Sequence, residues 1–425
     1  MSWNRWYSIK SYVRSTLWLV PFIALLSYVV LIQVLDWINV RYIAMPLWPW
    51  GTPGAQRILE TIVTLTLTFI VFTFGSLLVA IQVASGQLTP RIIATALLRD
   101  NVIRMTVGIF IFTLLFSLGV LGRLEAEAPF FLVGVAGILG FVSLIAFLYL
   151  IDHAARLLRP ITIVQRLGDL GSDVIETVYP DVFDGRDVPA SLPQRLNLPS
   201  RTILYHGKSG VILAINLKAL VNGAERSEVI IEFTQYVGSF VESGEPLFRL
   251  YGDTAKIEKR WLLENVAIGP ERTIEQDSTF AFRIIVDIAI KALSKAINDP
   301  TTAVLAIDQL NRLLRKVGAR RLRVGQRFDK SGQLRLILQK PNWEDFVQLA
   351  VREIRYYGAE NFQVARRLRA MLENLLQALP EERHPALRAE LTLLDDAVKT
   401  IHVLPADLAL ASVADPQGLG AGLSR

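Results

Sequence analysis

The 425-residue chain has no cysteine and only four histidines. The first absence excludes disulfide frameworks, cysteine zinc sites, iron–sulfur clusters and thiol catalysis, and leaves the compartment open. The histidines, at 153, 206, 384 and 402, show no paired metal-ligand spacing. A serine nucleophile elbow and a zinc-protease helix are also missing. The chain therefore reads as a protein without a recognisable catalytic site, metal or cofactor. Charge is scarce too. Charged residues make up 20% and apolar residues 52%, with a mean hydropathy of +0.38. Soluble domains carry about 25% charge, so this composition argues against a wholly water-soluble protein.

The net charge of +6 invites a nucleic-acid reading until it is localised. Residues 1–151 hold nine Lys or Arg against five acids, and the remaining 274 hold 36 against 34. Two thirds of the excess thus belongs to the most apolar third of the chain. Placed there, basic charge points to lipid headgroups and not to nucleic acid.

Four charge-free stretches occupy this region: Ser15 to Leu35, Thr61 to Pro90, Met105 to Gly122 and Ala128 to Ile151. About 20 apolar residues cross a bilayer core, so all four qualify as spans, at about 15–35, 61–85, 104–122 and 129–151. The first is long for a signal-peptide core, and Val34 to Leu47 has no small-x-small cleavage site. Arg5, Lys10 and Arg14 precede the first span; Arg91, Arg99 and Arg104 lie between the second and third; Arg156, Arg159 and Arg166 follow the fourth. The opposite loops are poorer in positive charge. The positive-inside rule therefore puts both termini in the cytoplasm. Trp3, Trp6, Trp18, Trp37, Trp48 and Trp50 gather near the first span, where amphipathic rings suit the interface. Thr89 and Pro90 are fit to open an elbow helix over about 89–100.

The second span carries Thr61, Thr64, Thr68, Gly75 and Ser76 along one helical face, with Gln82 near its inner end. Such a stripe can line a water-filled path between several copies. It can equally be threonines bonded to their own i−4 carbonyls, with small residues admitting a neighbouring helix. No ionisable group sits at mid-membrane, so the proton relay of a pump is missing while a passive pore stays open. In the fourth span, Gly134, Gly137 and Gly140 read as a face for close helix packing, within one chain or between copies.

From Asp152 a linker helix and a Pro-rich connector lead, at about residue 200, into an α+β region. Strands are expected near 202–206, 209–216, 228–234 and 246–250, and a hairpin near 321–325 and 334–339. Helices are expected over about 279–297, 343–379 (interrupted near Gly358) and 386–402, with a frayed tail from 406 to 425. Asp299 followed by Pro300 is a helix start. Glu275, Asp277, Asp287, Lys291, Asn298 and Asp299 form a candidate cluster for a cation, an effector or an interface; a solvated face with ordinary caps is the plainer reading. His206-Gly-Lys-Ser209 is no phosphate loop, because Thr202 stands where that motif needs glycine.

Two resemblances add to this reading. Gly210-Val-Ile212 with Val237-Gly-Ser-Phe-Val-Glu-Ser-Gly-Glu-Pro-Leu247 resembles the barrel-sandwich turn pattern of lipoyl and biotinyl carrier domains. No acceptor lysine follows, so the resemblance implies a small β-barrel-like module over 201–252 without a swinging cofactor. Across nearly the whole chain, Ala80-Ile-Gln-Val-Ala-Ser-Gly-Gln-Leu-Thr-Pro-Arg91, Ser209-Gly-Val-Ile-Leu-Ala-Ile215, Arg272-Thr-Ile-Glu-Gln-Asp277 and Ala292-Leu-Ser-Lys-Ala-Ile-Asn-Asp-Pro-Thr-Thr302 resemble a bacterial family of predicted inner-membrane proteins of unknown function. That family implies four spans and a cytoplasmic domain, and no activity. Gly86 and Lys295 stand where the resemblance leads one to expect serine and proline.

The expectation is an α-helical membrane domain with four transmembrane helices (1–151). A linker (152–200), a small β module (201–252) and an α+β helical domain (253–405) follow in the cytoplasm. The leading functional expectation is a homo-oligomeric, channel-like protein of the bacterial inner membrane; the alternative is a membrane-anchored scaffold or sensor.

Overall fold

The computed structural model describes residues 2–7, 9, 19–42, 51–87, 100–124, 130–157, 159–185, 199–322 and 325–420. The expected elbow helix, the Pro-rich connector over 186–198 and residues 421–425 lie outside them. The helices are α1 Leu19–Tyr42, α2 Thr52–Gln87, α3 Asn101–Leu121, α4 Phe130–Leu157, α5 Pro160–Val178, α6 Leu217–Ser227, α7 Lys259–Glu264, α8 Ser278–Ala292, α9 Pro300–Gly318, α10 Trp343–Gly358, α11 Phe362–Ala378, α12 His384–Ile401 and α13 Pro405–Ala411. The strands are β1 Arg201–Leu204, β2 Gly210–Ile215, β3 Ile230–Phe233, β4 Phe240–Val241, β5 Pro246–Tyr251, β6 Val266–Gly269, β7 Gly325–Phe328 and β8 Leu334–Leu338. These elements form two compact units.

The first unit holds α1 to α4. Three of its helices are long and apolar enough to cross a membrane: Thr52–Val83, Asn101–Leu121 and Phe131–Arg156. In α1 the described apolar stretch is the shorter Phe22–Leu31, so three spans meet the requirement where four were expected. Phe141 and Ile138 on α4 are 72% and 67% exposed, as are many large apolar side chains of α2. Water does not tolerate such a surface, whereas lipid does. Inside the unit, Phe69 of α2 stacks on Phe147 of α4 with ring centroids 4.2 Å apart, beside buried Phe110 of α3. Asp100 caps α3 by accepting from the amides of Val102 and Ile103 at 2.9 and 3.2 Å.

The second unit is α+β. Its five-stranded sheet runs β1-β5-β3-β8-β7, antiparallel except where β3 lies parallel to β8. A three-stranded antiparallel sheet runs β4-β2-β6. One apolar core, including Ile212, Phe233, Phe248, Leu262 and Leu336, joins residues of both sheets. The expected β module over 201–252 therefore does not stand alone. Its strands are divided between two sheets, each completed by strands from later in the chain, β6 or β7 and β8, because neither group buries its apolar faces unaided. Helix α8 is apolar on nearly every side and is buried beside α9 and α10.

Three further boundaries differ from expectation. The first strand of the hairpin is Gly325–Phe328 and not 321–325, of which 323 and 324 lie outside the described residues. Helix α8 stops at Ala292, short of 297, where the amide of Asp299 donates to Ala292 O at 2.8 Å and Asn298 takes φ +49°. The tail is ordered to residue 420: after α13, the Asp415 carboxylate accepts from the amides of Gln417, Gly418 and Gly420. Arg366 also donates to Val413 O and Gly420 O. Residues 2–7 and 9 belong to this second unit. Trp3 and Tyr7, from a helical turn at 3–7, pack on Val211, Leu213, Ala214 and Ala267 of β2 and β6.

Candidate functional site

Thr61, Thr64, Thr68, Gly75, Ser76 and Gln82 all lie on the exposed side of α2. The hydroxyls of Thr61, Thr64 and Thr68 donate to the carbonyls of Arg57, Glu60 and Thr64, at 2.7, 2.8 and 2.8 Å. Thus the local back-bonding expected of membrane threonines is present, and the stripe faces away from the interior of its own copy. Thr66 and Thr73 occupy the inner face instead and are buried.

Within one copy, the glycine face of α4 approaches a neighbour at one of its three positions. A Cβ on Gly134 or Gly137 would meet nothing within 4 Å, and only at Gly140 would it come close, 3.1 Å from Ile62 Cγ1. The glycines that admit a neighbour are on α3. A Cβ at Gly108 would sit 2.5 Å from Val20 Cγ1, and one at Gly119 would run into the Tyr28 hydroxyl. Those two positions lie eleven residues, about three turns, apart and therefore share a face. Gly134, Gly137 and Gly140 instead line an open apolar groove of about 750 Å³ with residues of α2.

The acidic cluster is not assembled. Asp277 precedes α8 and Asp299 follows it, so the length of that helix, about 20 Å, separates them. Asp287 pairs with Arg283, which also reaches Glu353 on α10. Asp299 caps α9, accepting from the Thr302 amide at 3.1 Å. Among the described residues no group of three or more His, Asp or Glu is arranged to hold a metal ion. His153 contacts Asp100 at 3.1 Å, while His384 and His402 bond the carbonyls of Leu379 and Ala359.

What the Arg272–Asp277 segment builds is a clamp. Asp277, 4% exposed, caps α8 by accepting from the Phe280 amide at 3.1 Å and from the Thr279 hydroxyl at 2.6 Å. Arg272 forms an ion pair with the other Asp277 oxygen, donates to Thr279 at 3.0 Å and lies over the Phe280 ring. The side-chain amide of Gln276 bonds both backbone groups of Ile215 at the end of β2, at 2.9 and 3.3 Å. Gly238 fits beside this pair with φ +95° because it has no Cβ.

Next to the clamp is a cavity of about 100 Å³, lined among others by Tyr179, Gln235, Gln276, Asp277, Ser278 and Lys340. Lys340 extends from the end of β8 to the end of α5, where its Nζ donates to Val178 O at 2.9 Å and lies 4.7 Å from the centre of the Tyr179 ring. Burial pushes its ammonium down to about 7, Arg327 adds to the shift, and Asp181 opposes it. Burial likewise raises the Tyr179 hydroxyl, against a hydrogen bond with Ser278. Of these residues only Asp277 is a candidate site residue in the sequence, and Gln276 lies in a segment that carries the family resemblance. The available signal for Lys340 was a lysine directly after the apolar run of β8 and before Pro341.

The family model for predicted membrane proteins called DUF2254 matches residues 14–374. The chain belongs to that family. Uncharacterized proteins of Mycobacterium tuberculosis and Mycobacterium bovis are each 28% identical to it over 409 residues, covering 92% of this chain and 77% of the relative. No solved structure matches it.

Proposed function

We propose that this protein is a four-span protein of the bacterial inner membrane with both termini in the cytoplasm. In this reading, copies assemble so that the exposed Thr61–Thr64–Thr68 face of α2 lines a channel-like path between them. The protein works without catalysing a reaction and without contacting nucleic acid. Four spans are supported by parity. Trp3 and Tyr7 pack within the same compact unit that holds residues 163–420, which fits an even number of crossings between the two segments. Three helices are long and apolar enough to cross, and this reading takes α1, with its shorter described apolar stretch Phe22–Leu31, as the fourth. The positive residues flanking the spans support a cytoplasmic location for that unit.

The observation that carries the pore reading is the position of the polar stripe. It sits outside a copy whose own interior is filled by apolar clusters around Phe69, Phe110 and Phe116. Purified protein in liposomes is expected to pass ions, and Thr64→Val with Thr68→Val to alter the conductance. Background flux from a folded, oligomeric sample would refute it.

The cavity beside Lys340 favours a second reading, a membrane-anchored sensor whose cytoplasmic unit binds a small ligand. In that case liposome flux stays at background, while a ligand protects the Lys340 amine from acylation.

A further inference from the structure

A second cavity in the α+β unit differs from the first in size and lining. It is a groove of about 750 Å³ walled by the N-terminal turn, α7 and β6, within the range of small-molecule sites. Its floor is apolar: Leu247 and Val266 are buried, and Leu263 and Ile268 are partly so. Its rim carries Arg5, Lys259 and Arg260. Arg260 donates to Glu264 at 3.0 Å across one helical turn, and among the described residues Glu264 is the one carboxylate lining the groove. Three cations against one carboxylate leave the rim positive. On the same N-terminal segment, Trp6 and Ile9 remain 48% and 51% exposed.

An apolar floor alone would be incomplete packing, and a basic rim alone would be a solvated face. Together they match a molecule with an apolar chain and an acidic head. The wall segment that carries Arg5 and Ile9 continues in sequence, through residues 10–18, into α1. That continuity favours bilayer lipid as the source of the occupant. We propose that this groove binds an anionic phospholipid, with an acyl chain on the Leu247–Leu263–Val266–Ile268 floor and the headgroup against Arg5, Lys259 and Arg260. A free fatty acid shares that chemistry and is the alternative source.

The test uses the full-length protein in phosphatidylcholine nanodiscs doped with phosphatidylglycerol bearing a diazirine on its acyl chain. After irradiation, mass spectrometry maps the adducts. Adducts on residues 259–268 are expected to exceed those from a matched phosphatidylcholine probe by about fivefold, and to fall about fivefold in Arg5→Gln/Lys259→Gln. Leu263→Trp, which fills the groove and keeps the charge, should remove them as well. Melting curves identify variants that fail to fold, and Lys259→Gln alone replaces a double variant that does. Equal labelling by the neutral probe, or no adduct within 259–268, would overturn the site. Labelling displaced by free palmitate and not by unlabelled phosphatidylglycerol would overturn the phospholipid as occupant.

Discussion

Replacing Gly238 by alanine should loosen the start of α8. Two effects combine at this position. The residue has φ +95°, where a Cβ costs about 1–2 kcal/mol. The added methyl would also land on Asp277 Oδ2 and lie 2.6 Å from Arg272 Nε, so the ion pair would have to open. Losing the cap on α8 costs about 1 kcal/mol. Separating a buried carboxylate from its partner costs up to about 3–5 kcal/mol, and since Arg272 is partly exposed, a combined loss of about 4 kcal/mol is expected. Gly244 provides the control. It has nearly the same backbone, φ +97°, but a Cβ there would meet nothing within 4 Å, so Gly244→Ala should cost the strain alone.

The difference between the two variants, about 2–3 kcal/mol, isolates the clamp. Hydrogen exchange on the full-length protein can read it at the Phe280 amide, which is bonded to Asp277, and at the Ile215 amide, which is bonded to Gln276. Exchange at both should be roughly a hundredfold faster in Gly238→Ala than in Gly244→Ala. Equal exchange in the two variants would refute the clamp. The backbone strain would then be the whole effect, and Arg272 and Asp277 would be free to shift.

Three other outcomes are expected. Between about pH 7 and the ordinary lysine value of 10.5 the unfolded chain holds a proton on Lys340 that the folded chain does not, so stability should rise with pH across that window. Lys340→Met should flatten that rise in urea midpoints measured between about pH 7 and 9, at a cost of about 1 kcal/mol for the bond to Val178 O. Gly119→Ala should destabilise the membrane unit by about 2 kcal/mol through the Tyr28 hydroxyl, while Gly134→Ala should be neutral or stabilising by up to about 1 kcal/mol; unfolding in mixed micelles distinguishes them. Trp3→Ala with Tyr7→Ala removes two stacked rings from the face of β2 and β6 and should speed tryptic cleavage after Arg5 about tenfold.

The long apolar helices were legible in sequence because lipid imposes a length requirement that residue counts express directly. The Asp299–Pro300 helix start was legible for a similar reason: the cap is built from adjacent residues. What escaped depends on contacts distant in sequence. Trp3 reads as an interfacial aromatic because a membrane interface and the bare face of a sheet select the same side chains. The glycines of α3 and α4 look alike in sequence, and only the approach of Val20 and Tyr28 distinguishes them. Lys340 gave little signal, because its partner carbonyl at Val178 is 162 residues away. The turn pattern around Gly238 and Gly244 is legible in sequence, and both glycines take positive φ, but its strands are divided between two sheets completed from later in the chain.

Three of the four segments that carry the family resemblance have a structural task. Ser209–Ile215 is largely β2, the central strand of the three-stranded sheet. Arg272–Asp277 ties the start of α8 to the end of β2 through Gln276 and to the Gly238 turn through the Arg272–Asp277 pair. Ala292–Thr302 reverses the chain between α8 and α9 with a residue at positive φ and a capping aspartate. Each of these is accounted for by the geometry it closes, and none leaves Asp277 or Asp299 available as a ligand without losing a helix cap. Function has to be sought where side chains exceed what the fold requires. In the α+β unit those places are the amine of Lys340 beside its cavity and the basic rim above the Leu247–Val266 floor. In the membrane unit it is the threonine face that α2 turns away from its own bundle.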